Sequence, residues 1–176
     1  IARDLSPKGF LSYYKNFGFS IPEGAIDALI NLRLKDEFLN ADLEAQIREL
    51  TLTKDEIIAK LNSSVKANFK YSLSDKQLNG SLDIIDAKLK LEKIEPIFEN
   101  INGKLEFSPS QLMWSGLSFK YLNTEYKTSG ALTDFKAPAV TAELSSKDLQ
   151  LESAFAVNGK FIKFSKFKGQ YINSEF

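Results

Sequence analysis

Between Ile57 and Leu73 the side chains sort by parity. The odd positions carry Ile57, Ala59, Leu61, Val65, Ala67, Phe69, Tyr71 and Leu73, broken only by Ser63. The even positions carry Lys60, Asn62, Ser64, Lys66, Asn68, Lys70 and Ser72, broken only by Ile58. Successive side chains of a strand point to opposite faces, so this stretch reads as one long strand with an oily side and a wet side. It also belongs to a longer pattern, because Tyr71, Tyr121 and Tyr171 are evenly spaced, as are Gly80 and Gly130. Around the last two tyrosines the text repeats, Tyr121-Leu122-Asn123-Thr124-Glu125-Tyr126 against Tyr171-Ile172-Asn173-Ser174-Glu175-Phe176. A repeated, one-sided sheet must cover its apolar face, and what covers it is the functional question.

The same alternation runs through most of the chain. Ile26, Ala28, Ile30, Leu32 and Leu34 alternate with polar residues, Leu29 excepted, and Ala41, Leu43, Ala45 and Ile47 do so after a polar connection. Leu50 and Leu52 then carry the apolar set on the other parity, as a β-bulge would produce. Similar slips are expected at Ile84/Ile85, after Trp114 and at Leu132/Phe135. Bulges recurring at one level would bend every strand alike and curl the sheet. Short polar turns between the runs imply antiparallel neighbours. Ile21-Pro22-Glu23-Gly24 has turn composition, and Ile94 to Asn100 has room for a helical turn. Residues 1–20 form a separate lead-in: Ser6-Pro7 starts and Gly18 stops one short amphipathic helix, with Phe10, Tyr13 or Tyr14, and Phe17 along one side. Residues 21–176 are then a repeating β segment with a period of about 50 residues. The chain starts without Met and stops within a repeat, which reads as a fragment.

Composition removes several kinds of chemistry. The 23 basic and 23 acidic residues interleave along the strands, so nucleic acid is not an expected partner. With neither His nor Cys, the usual general base, the thiol nucleophile and thiolate metal sites are missing. Ser63-Ser64-Val65-Lys66 matches S-x-x-K, but that chemistry needs a helix, and in a strand this Ser and Lys face opposite ways. Asp42 and Glu44 share a face about 7 Å apart by strand rise; solvation beside Arg48 accounts for them better than catalysis does. Asp83 and Asp86 lack the ligand density of a calcium loop. The expectation is a non-enzyme with no cofactor and no metal. No run approaches the roughly 18 apolar residues of a transmembrane helix.

There are too few helices to layer over this sheet. It either folds onto itself as a structural or adhesive β-sandwich, or curves into an open trough filled from outside the chain. A closed, lipocalin-like barrel with a single ligand fits a running repeat less well. A trough lined by Val65, Phe69, Leu82, Leu105, Phe107, Trp114, Leu117, Phe119, Tyr121 and Leu132 would offer no convergent polar group, which suits acyl chains.

Leu78-Asn79-Gly80-Ser81-Leu82, Ile101-Asn102-Gly103-Lys104-Leu105-Glu106-Phe107, the run Leu112 to Tyr126, and Ser129-Gly130-Ala131-Leu132-Thr133-Asp134-Phe135 with Pro138 resemble the repeating units of the AsmA-like, TamB-type family of Gram-negative envelopes. The resemblance covers Leu78 to Phe176; residues 21–77 share only the alternation. It implies an all-β, elongated, strongly curved antiparallel sheet, a taco-like open hydrophobic groove. It further implies a periplasmic bridge, anchored to the inner membrane in the full-length protein, that conducts phospholipid between the two membranes. The implied partners are phospholipid or another acyl-chain lipid, further β-groove repeats of the same chain, and inner- and outer-membrane proteins. The family brings no catalytic residues.

Overall fold

A computed structural model describes residues 2–5, 20–54, 57–91, 94–158 and 161–171. They form one antiparallel sheet whose spatial order is the chain order: β1 (Ala2–Leu5), β2 (Ser20–Lys35), β3 (Phe38–Lys54), β4 (Ile57–Ser72), β5 (Gln77–Leu91), β6 (Ile94–Ser108), β7 (Gln111–Tyr121), β8 (Thr124–Thr133), β9 (Ala139–Ser145), β10 (Leu149–Asn158) and β11 (Phe161–Tyr171). The first and last strands do not pair, so the sheet is open and not a barrel.

Tight turns explain the meander. Asp36 and Glu37 join β2 to β3, and Leu122 and Asn123 join β7 to β8, all four with φ between 48° and 64°. Two consecutive left-handed residues make the primed turn whose twist matches flanking strands. Between β8 and β9 the Asp134 carboxylate accepts the N–H groups of Lys136 at 3.0 Å and Ala137 at 3.2 Å, so this connection is an Asx turn. The parity break expected at Leu132/Phe135 is therefore the end of a strand and not a bulge.

The other expected breaks are bulges. Register shifts fall between Ile47 and Leu50, between Ile84 and Ala87, and between Trp114 and Leu117. Each holds a left-handed residue, respectively Glu49, Asp86 and Gly116. The backbone N–H freed at Glu49 donates to Asn62 Oδ1 at 2.8 Å, and that at Asp86 donates to Asn102 Oδ1 at 2.9 Å. The same device serves twice: an asparagine on the next strand satisfies a donor that the bulge removes from the ladder.

Two local readings are corrected. Ile21 to Gly24 is not a turn but the start of β2, with an irregular register at Glu23 and Gly24 at φ 126°; pairing of Ser20 and Glu23 with Thr53 and Thr51 overrides the local composition. Ile94 to Asn100 is not helical but begins β6. A left-handed Asn100 disrupts the alternation there and makes a strand look aperiodic. The helix expected over Ser6 to Gly18 lies outside the described residues, while Ala2–Leu5 of the same lead-in form β1.

β2 to β6 are 15–17 residues long, whereas β7 to β11 have 7–11. The 50-residue tyrosine spacing consequently spans three strands from Tyr71 to Tyr121 and four from Tyr121 to Tyr171. Tyr121 and Tyr171 end strands that run the same way; Tyr71 lies near the end of a strand that runs the opposite way.

Candidate functional site: an apolar lane across the sheet

Partners in an antiparallel ladder share a face, so the register can be followed from strand to strand. One row reads Leu32, Ala41, Phe69, Gly80, Phe107, Leu112, Leu132, Val140, Phe155, Phe164. It crosses ten strands without a polar residue. The next row on the same face reads Ile30, Leu43, Ala67, Leu82, Leu105, Trp114, Gly130, Ala142, Ser153, Phe167, with Ser153 its one polar member. A third begins with Ala28, Ala45, Val65, Ile84 and Gly103, and beyond a bulge continues through Leu117, Thr128, Leu144, Leu151 and Gly169. Its Thr128 hydroxyl accepts Trp114 Nε1–H at 3.2 Å, which satisfies the indole within the protein.

All ten residues expected to line a trough lie on this face. Phe69, Phe107 and Leu132 are in the first row, Leu82, Leu105 and Trp114 in the second, and Val65 and Leu117 in the third. Phe119 and Tyr121 extend it toward the β7–β8 turn, where they meet two aromatics absent from that expectation. Phe98 stacks on Tyr121 with ring centroids 4.8 Å apart, and Phe119 stacks on Tyr126 at 5.3 Å. The left-handed Asn100 hides the parity of Phe98; Tyr126 shares the alternation of its strand and needed only the register of β7 with β8.

The periodic glycines have a packing role here. A Cβ on Gly80 would stand 2.7 Å from Phe107 Cζ, and one on Gly130 would collide with Trp114 Cζ2. Each glycine is thus the seat of an aromatic ring from a neighbouring strand.

No second layer covers these rows among the described residues. The buried apolar residues are Ile21, Ala28, Leu50, Ala67 and Ala87, mostly small, and no large side chain is fully buried. Leu32 is 63% exposed and Phe167 is 68% exposed, at opposite sides of the sheet.

The reverse face is mostly polar, Leu29, Ile85 and Met113 being exceptions, and is ordered by charge. Glu44, Lys66, Asp83 and Lys104 face one another in series across β3 to β6, with Lys66 Nζ 3.3 Å from Glu44. Asp42 is held by Arg33 of β2 at 2.5 Å and by Asn68 of β4 at 2.8 Å; these hydrogen bonds, Arg33 first, hold its carboxyl below the ordinary range. Arg48 pairs with Asp27 of β2 at 2.8 Å. Hydrogen bonding by Lys166 likewise lowers Glu152, and Glu106 raises Lys104. No grouping of His, Cys, Asp or Glu able to hold a metal occurs among the described residues. No helix among them is long and apolar enough to cross a membrane, which leaves strands out of account.

Comparison of the chain with protein-family models, with curated proteins and with solved structures found no match.

Proposed function

We propose that this chain is a segment of an AsmA-like periplasmic bridge that binds the acyl chains of phospholipid on its apolar face and conducts them along it. In this reading the sheet curls with that face inward as a taco-like trough, tails slide along the rows, and head groups stay in water at the open side. The observation that carries it is the first row, ten apolar residues in register across ten strands. Nine strand spacings of about 4.8 Å make that row roughly 43 Å long. One leaflet's tails occupy about 15 Å, half the hydrocarbon thickness of a bilayer. The row is therefore about three tails long, which suits passage better than a single seat. Each buried methylene contributes about 0.8 kcal/mol, so tails need no hydrogen bond to hold them. The bulges at Glu49, Asp86 and Gly116 support the curl, since each bends its strand.

The test is native mass spectrometry of protein prepared without detergent. Phospholipid should copurify, and Leu105→Glu, which sets a carboxylate in mid-lane, should remove it while the far-ultraviolet circular dichroism stays that of a sheet. A lipid-free chain with a dry, side-chain-filled interior would favour the self-packed sandwich instead.

A further inference from the structure

At the strand ends where β7 turns into β8 and β9 into β10, a hollow of about 560 Å³ opens among Lys120, Lys127, Lys147, Thr124, Ser145 and Ser146. We propose that this hollow binds a phosphate group, and that the phosphate is that of a lipid head group. The proposal deepens the reading above by giving the carried lipid an anionic head.

The register puts the parts together. Lys127 faces Ser118 of β7 on one side and Ser145 of β9 on the other, and Lys120 lies between Glu99 of β6 and Glu125 of β8. Lys120, Lys127 and Ser145 thus sit on the polar face, at the end where Tyr121 and Tyr126 close the apolar one. Three ammonium groups and three hydroxyls are hydrogen-bond donors suited to phosphate oxygens. Glu125 is the one carboxylate in the lining.

These donors are available. Lys66, Lys88, Lys104 and Lys166 on the same sheet each reach a glutamate. Among the described residues Lys120 and Lys127 have no such ion pair, and Lys147 reaches only its neighbour Asp148, at 3.7 Å. Ser146 Oγ accepts the Asp148 N–H at 3.3 Å, which leaves its own hydrogen free to donate.

A separate feature of the same hairpin points to lipid as the source of the phosphate. Leu122, at φ 49°, is 67% exposed at the tip of the turn. A bulky apolar residue is out of place in that conformation, which favours Gly, Asn or Asp. Here it stands beside a cationic hollow with tyrosines behind it. An apolar tip entering hydrocarbon while lysines meet the head groups, and tyrosines lie at the boundary, is the arrangement of an interfacial contact.

Flotation of the 176-residue chain with phosphatidylcholine vesicles, with and without one third phosphatidylglycerol, tests this. Phosphatidylglycerol should raise binding. Lys120→Gln with Lys127→Gln should weaken that binding about 25-fold, from roughly fivefold per lysine at an anionic surface. Leu122→Asn, which suits the turn and removes the apolar tip, should weaken binding to both vesicles. Lys35→Gln with Lys76→Gln, the same loss of charge at the opposite strand ends, should change nothing. Equal loss in that control, or full binding by the Lys120/Lys127 variant, overturns the site. If inorganic phosphate, matched against chloride for ionic strength, binds at the lysines while vesicles do not, the phosphate site stands and the lipid source is overturned. The two readings fail separately: copurified lipid together with full vesicle binding by the Lys120/Lys127 variant refutes only the phosphate site, whereas a chain without acyl lipid refutes the lane.

Discussion

At the residue scale, the pairings that matter join large to small. Trp114 lies over Gly130 and Phe107 over Gly80, and the backbone oxygens of Thr141 and Asn68 crowd the same two glycines where a methyl carbon would stand. A methyl group there has nowhere to go, because one neighbour is main chain. Gly130→Ala should cost about 1–3 kcal/mol, the usual range for overpacking, and should quench or shift the fluorescence of the one tryptophan, which urea unfolding followed at that tryptophan would report. An unchanged midpoint and spectrum would mean that the ring does not rest on the glycine. Asp42 makes a different residue-scale link, one carboxylate joining β2, β3 and β4 through Arg33 and Asn68. Its folded pKa is depressed, so its contribution is present above the unfolded value and is lost as pH falls through the folded one. Carbon-13 titration of the side-chain carboxyl should give an Asp42 midpoint below that of ordinary aspartates, and Arg33→Gln should bring it back up. Solvent screening keeps the stability effect of such an exposed pair small.

At the element scale, long strands were plain in the sequence and their interruptions were only partly so. Period-two alternation marks β4 without ambiguity because nearly all its apolar residues face one way. It locates the bulges before Leu50, near Ile85 and after Trp114 because each moves the apolar set to the other parity. It fails where two signals coincide. At Leu132 to Phe135 a turn imitates a parity slip, and at Ile94 to Asn100 a left-handed asparagine makes a strand resemble a helical turn. The ten lane residues were legible for the same reason that β4 was, since parity alone assigns a face. The hollow at Lys120 and Lys127 was not, because its parts come from two turns and three strands and no spacing along the chain announces them. Nor do Asn62 and Asn102 declare themselves as caps for bulges on preceding strands, a relation that exists only once the register is known.

At the scale of the whole molecule, a meander without a second layer is close to one-dimensional. Strands touch along the chain order, β1 through β11, and no central core gathers distant segments among the described residues. Stability should then be nearly a sum over neighbouring strand pairs, as in solenoid arrays, and local opening should cost least at the sides. The longest ladder joins β3 to β4, with those of β2 to β3 and β4 to β5 next, while every residue of β11 is exposed. Amide hydrogen exchange should accordingly show protection highest in β4 and its neighbours and falling toward β11, with no single unfolding free energy shared by all strands. A self-packed sandwich would behave otherwise: its facing layers would open together, and the central amides of every strand would exchange at one common rate. Adding acyl lipid sharpens the contrast. A lane that runs across β2 to β11 gives each of these strands a new neighbour at once, so lipid should raise protection most in β7 to β11, whose strands are shorter than those of β2 to β6. Protection confined to one or two strands would instead indicate a local seat, and would count against passage along the sheet.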